Sequence, residues 1–127
     1  MSSASRLVVF SALLGLTGVA AGAFGAHGLK ETLTASGHVE TWKTAAHYQL
    51  VHATSLLALA AWQAHVPNSW ANRAGLSWLL GVILFSGSLY ALSLGGPKWL
   101  GPITPIGGLL LLIGWGMLFP AAKSAKP

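Results

Sequence analysis

The chain has 127 residues, of which 54% are hydrophobic and 7% charged, with seven Lys or Arg, two Asp or Glu and a formal net charge of +5. An average soluble domain carries roughly 25% charged residues. So few ions cannot cover a water-facing surface, which excludes a soluble enzyme, a disordered tail and a nucleic-acid binder.

The cations are scattered, with no two adjoining and no basic helix face, so nucleic acid is excluded as a partner. There is no Cys, which removes disulfides, thiolate metal sites and cysteine nucleophiles. The only acidic side chains, Glu31 and Glu40, fall in one polar stretch.

A bilayer core needs about 20 mostly apolar residues as helix. Four stretches meet or approach that length: residues 7–26, 45–64, 74–94 and 105–122. They predict one domain, an all-α integral membrane four-helix bundle. The first stretch imitates a secretory signal, with Arg6 before it and the small residues Ala21, Gly22 and Ala23 near its end. Its apolar run is too long for a signal core, so it reads as a retained span.

The connector after the first span is polar but patterned. Leu29 and Leu33 sit four apart beside Lys30 and Glu31, which predicts a short helix lying in the membrane interface. Gly37 breaks it, and Glu40 stands three residues on, as N3 stands after an N-cap. The next helix is expected to run from His38 to about His65, roughly 42 Å at 1.5 Å per residue. Pro67 and Asn68 predict a short turn. In the third connector, Thr104 before Pro105 reads as an N-cap with proline at N1. The fourth helix is then expected to start at Pro105 and to reach only about 27 Å. Residues 99–104 are accordingly expected to enter the membrane edge in non-helical form.

Gly15, Gly18, Gly22 and Gly25 make a glycine stripe on the first helix. Small residues let helix backbones approach closely in lipid. Ser77, Gly81 and Ser88 in the third span and Gly107, Gly108 and Gly114 in the fourth offer matching faces. The stripe reads as internal packing, with a homo-oligomer interface as the alternative. Trp42 and Trp99 at one side, and Trp62 and Trp70 at the other, are expected at the headgroup level. Counting Arg6, Arg73, Lys123 and Lys126 against Lys30, Lys43 and Lys98 favours cytoplasmic N- and C-termini.

Ionisable residues inside spans are functional candidates. Tyr48 and His52, four apart, share a helix face. With His27, Ser86, Ser88 and Tyr90 they form the candidate intramembrane site. One reading is a hydrogen-bonded network that fixes helix register, with Ser86, Ser88 or Tyr90 as partners of His52. The other is a pocket for a lipid headgroup, a quinone or another small amphiphile. His47 and His52 are about 140° apart on the helix, so no metal or haem site is expected, and no cofactor.

Four fragments carry a resemblance: GAFGAHG at residues 22–28, YQLVHA at 48–53, LFSGSLY at 84–90, and ITPIGG at 103–108 followed by Gly114 and Trp115. Together, in this order, they resemble the small membrane proteins grouped as domain of unknown function 423, which include bacterial inner-membrane proteins and the eukaryotic transmembrane protein 256. The resemblance implies a four-helix membrane bundle in a bacterial inner membrane and supplies no activity. His47 does not belong to the family pattern. The function expected is a structural, assembly or lipid-associated accessory role, with membrane lipids and a homo-oligomer or larger membrane complex as partners. The alternative is an oligomeric transporter or channel subunit, against which the absence of an acid inside any span counts. No activated nucleophile is evident, so no enzyme is expected.

Overall fold

The computed structural model describes residues 1–125, so Lys126, counted above among the cytoplasmic cations, lies outside the described residues. The described chain is all helical: α1 (Ser3–Ala26), α2 (Lys30–Ser36), α3 (Val39–His65), α4 (Ser69–Ser93), α5 (Ile103–Gly116) and α6 (Leu118–Ser124), with a 3-10 turn at Lys98–Leu100. Three helical runs are long and apolar enough to cross a membrane: Ser3–Ala26, Ser69–Ser93 and Lys98–Ser124.

Each helix boundary has a local cause. Ser2 caps α1 by accepting from the Ser5 backbone N–H. Gly37 ends α2 at φ 74°. There the His38 N–H donates to the Leu33 carbonyl and the Gly37 N–H to Thr34, the Schellman pattern that needs a left-handed residue. Gly37 is thus a C-terminal stop, not the N-cap of α3, and His38 precedes α3 without a side-chain cap. Gly95 closes α4 in the same way at φ 87°, with Gly96 N–H on Ala91 and Gly95 N–H on Leu92.

The last helical run departs from expectation at both ends. Residues 99–104 are largely helical. The Lys98–Leu100 turn satisfies its backbone through Leu100 to Pro97 and Gly101 to Lys98 bonds, and Gly101 and Pro102 keep right-handed helical dihedrals into α5. Helix α5 therefore starts at Ile103, and Thr104 and Pro105 lie inside its first turn rather than at a cap and N1. The Thr104 hydroxyl is 2.6 Å from Ser88 Oγ instead. The helix then breaks at Met117. Pro120 lacks the N–H that would reach the Gly116 carbonyl, which interrupts the ladder.

The long helices pack antiparallel in chain order: α1 on α3, α3 on α4, and α4 on α5. Along the first seam, Gly18 faces Leu50 and Gln49, and Gly25 lies against the Trp42 indole. Gly15 meets only Ala53, at 4.0 Å from a notional Cβ, and Gly22 meets nothing within 4 Å. The stripe is therefore not uniform: Gly18 and Gly25 admit α3 closely, while Gly22 is exposed. The α4–α5 seam follows the small-residue pattern more fully. A Cβ on Gly107 would strike the Leu84–Phe85 backbone, one on Gly81 would meet Leu111 and the Gly107 carbonyl, and one on Gly114 would strike Trp78. Ser77 Oγ donates to the Leu110 carbonyl at 2.6 Å.

The apolar core joins Leu7 and Leu14 of α1, Leu56 and Leu59 of α3, Trp78 and Val82 of α4, and Leu111 of α5. Outside it, large aliphatics face outward, among them Leu16 (73% exposed) on α1 and Leu112 (70%) on α5. Such a perimeter suits hydrocarbon and not water. The aromatic belt is narrower than expected. Trp99 is exposed, but Trp42 is buried, donating its Nε1–H to the Ala21 carbonyl at 2.7 Å.

Candidate functional site

The six candidate residues do not form one network. Tyr90 belongs to a cluster between α1, α3 and α4. Its hydroxyl donates to Gln49 Oε1 at 2.7 Å. The Gln49 amide in turn donates to Thr17 Oγ1 at 2.6 Å and to the Leu14 carbonyl at 3.0 Å. The Trp42 and Tyr90 rings lie 4.6 Å apart. Ser86 joins the same region by donating to the Ala45 carbonyl at 2.7 Å. Ser11 of α1 donates to the Ala53 carbonyl at 2.7 Å. These bonds tie three helices in register.

His52 stands apart from Ser86, Ser88 and Tyr90. Its Nδ1 lies 2.8 Å from the Tyr48 carbonyl, and its Nε2 accepts from Trp115 Nε1 at 3.0 Å. A carbonyl can only accept and an indole N–H can only donate. The geometry thus fixes His52 as the neutral ring with its proton on Nδ1. Trp78 and Trp115 pack 4.5 Å apart beside it, and the Trp78 Nε1–H is buried without a partner among the described residues. Ser88 pairs with Thr104, a third separate contact. His27 ends α1 and is exposed, with no side-chain hydrogen bond among the described residues. It belongs to none of these groups.

Two of the seams between long helices carry open clefts. One lies between α1 and α4 above α3, a cleft of about 500 Å³ with Gln49, Ser86 and Tyr90 in its lining. The other lies between α3 and α5–α6 above α4. Trp115 crosses it to reach His52 and divides it in two. On the Tyr48 side is a cleft of about 580 Å³ lined also by Phe85, Pro105 and Gly108. On the other side is a smaller one of about 380 Å³, with Ser55, Trp62 and Leu118. No group of three His, Asp or Glu side chains that could hold a metal ion exists among the described residues.

Several contributors lie outside the six candidate residues. Gln49 and Gln63 are visible in the sequence as polar residues inside an apolar run, which is signal enough. Trp115 gives no such signal, because indoles are common at span edges. Asn68 is the least expected. Its Oδ1 caps α4 through the Trp70 and Ala71 N–H groups. Its Nδ2 donates to the Ala121 carbonyl and Ser124 Oγ, and its backbone N–H to Gln63 Oε1.

Apolar helices with an aliphatic perimeter, and with Gln49, His52 and Gln63 buried between them, define a polytopic helical membrane protein. Comparison with known proteins gives the family. The model for the family described as "Protein of unknown function (DUF423)" matches residues 21–108. A UPF0382 membrane protein of Haemophilus influenzae is 44% identical over 112 residues, covering 87% of this chain and 88% of its own length. One from Staphylococcus saprophyticus is 41% identical over 113 residues, covering 87% and 91%. The UPF0382 inner membrane protein YgdD of Escherichia coli is 37% identical over 122 residues, covering 94% and 91%. The chain belongs to this family of membrane proteins of unknown function. No solved structure matches.

Proposed function

We infer that the chain is a four-span protein of the bacterial inner membrane that serves as a structural or assembly component and not as an enzyme. One observation carries this reading. The polar side chains buried along α3 are engaged in holding neighbouring elements: Gln49 bonds α1 and α4, His52 bonds α5, and Gln63 bonds the start of α4. That also explains how α3, less apolar than its neighbours, crosses a bilayer. Gln49, His52 and Gln63 are each at most 5% exposed, so none is presented to lipid, where an unpaired polar group is costly.

The inner-membrane protein of Escherichia coli among its relatives supports the inner-membrane reading. Orientation follows the cations. Arg6, Arg73 and Lys123 gather at the end where α1 and α4 begin and α6 ends. Lys30, Lys43 and Lys98 lie at the other, with Glu31 and Glu40. An end free of acids suits the cytoplasmic leaflet, whose anionic lipids attract cations.

The natural absence of Cys makes labelling of single-cysteine variants free of background. Ser36→Cys should react with a membrane-impermeant maleimide from the periplasmic side, and Ser69→Cys only after lysis. Labelling of both from one side would remove α3 as a span. Native mass spectrometry of gently extracted protein should find it with another polypeptide, a second copy or retained lipid. A bare monomer would defeat the assembly reading.

A further inference from the structure

We propose that the half of the α3–α5 seam between Tyr48 and Trp115 is a binding site for a neutral, flat, hydrogen-bond-accepting ring on a hydrocarbon tail, the chemical class of the membrane quinones. The proposal rests on the four-span reading, because it uses depth in the bilayer.

The cleft is not a by-product of packing. Gly107 and Gly108 are adjacent in α5, where each glycine costs the helix roughly 0.5–1 kcal/mol relative to Ala. Gly107 is required, since a Cβ there would strike the Leu84–Phe85 backbone. Gly108 is not required: a Cβ there would meet only the Phe85 ring, at 3.7 Å, an ordinary contact. What its missing side chain provides is open space in the cleft that it lines.

The walls of that space are flat and its polarity is sparse. Tyr48 and His52 are stacked at an interplanar angle of 11°, and Phe85 lies 4.8 Å from the Tyr48 ring. Both His52 nitrogens are already bonded within the protein. Tyr48 is 42% exposed, and its hydroxyl has no partner among the described residues. It is the free donor, and a ring carbonyl is the group it would meet.

Depth decides between a neutral ring and a phospholipid headgroup. The span expected at residues 45–64 is centred between Thr54 and Ser55, so Tyr48 lies about 10 Å from the bilayer midplane at 1.5 Å rise per residue. The hydrocarbon core extends about 15 Å from the midplane. A phosphate cannot sit at the level of Tyr48, and no lining residue of the cleft is charged. A neutral ring can, with its tail leaving past Leu109 and Leu112 into lipid.

The test uses the purified full-length chain in phosphatidylethanolamine–phosphatidylglycerol nanodiscs, with decylubiquinone as the probe. Tryptophan quenching and native mass spectrometry are the readouts. Wild type should quench saturably and retain one quinone. Gly108→Leu should weaken binding at least about tenfold with the melting temperature preserved. Tyr48→Phe, which keeps the ring, should weaken it several-fold, as expected for loss of one hydrogen bond. Quenching that never saturates, or that saturates equally in all three proteins, overturns the proposal. So does a retained phospholipid that Gly108→Leu displaces while the quinone fails to bind. The cysteine labelling above decides the four-span reading separately, so a correct topology without quinone binding rejects the site alone.

Discussion

At the residue scale, the His52–Trp115 pair separates a hydrogen bond from mere contact. Trp115→Phe keeps an aromatic ring but leaves His52 Nε2 without its donor. It should lower stability in mild detergent by about 1 kcal/mol. In a His52→Leu background the same change should cost less, because the acceptor is gone. Thermal unfolding of the four proteins checks this, and equal costs in both backgrounds would remove the bond from the account. The two adjacent glycines of α5 give a second contrast. Gly107→Ala pushes a methyl into the α4 backbone and should destabilise by roughly 1–3 kcal/mol, the usual cost of overpacking. Gly108→Ala meets no such obstacle and should raise the melting temperature through improved helix propensity.

At the element scale, Asn68 joins the end of α3, the start of α4 and the last turns of α6. Replacing a capping Asn by Ala costs about 0.5–2 kcal/mol, and here two tertiary bonds go with it. Asn68→Ala should therefore fall at or above the top of that range by denaturant unfolding. Asn68→Ser keeps a cap but cannot reach both α6 partners, so it should lie between wild type and Ala. The break between α5 and α6 has its own cause in Pro120. The last turns of α6 therefore depend on Asn68 for attachment more than on the ladder of α5.

At the scale of the whole molecule, α3 and α4 form a central pair, with α1 held to the one and α5 to the other. The central pair carries most of the buried polar contacts, and α2 is held mainly through Leu33, which is 1% exposed. Local opening is easiest where few apolar contacts hold a segment. Hydrogen exchange in nanodiscs should accordingly be fastest in α2 and slowest in the facing halves of α3 and α4. Uniform protection across α2 and α3 would contradict this arrangement.

Much of this architecture was written in the residues themselves. Apolar runs of sufficient length locate α1, α4 and the run from Lys98 to Ser124, whereas α3 falls short of that apolarity; Gly37 locates the stop before α3, and the small residues of α4 and α5 announce their close seam. These are local properties, set by solvation of a continuous segment and by the volume of single side chains. The start of the last helical run was misread because Thr104 and Pro105 satisfy a capping rule that the Lys98–Leu100 turn makes unnecessary. The membership of the polar groups was not legible at all. Periodicity places Tyr48, Gln49 and His52 on a helix surface but does not say which neighbour each one reaches. Only tertiary packing, by rotating α3 between α1 and α4 and bringing Trp115 across from α5, decided that Tyr90 meets Gln49 and that His52 meets an indole.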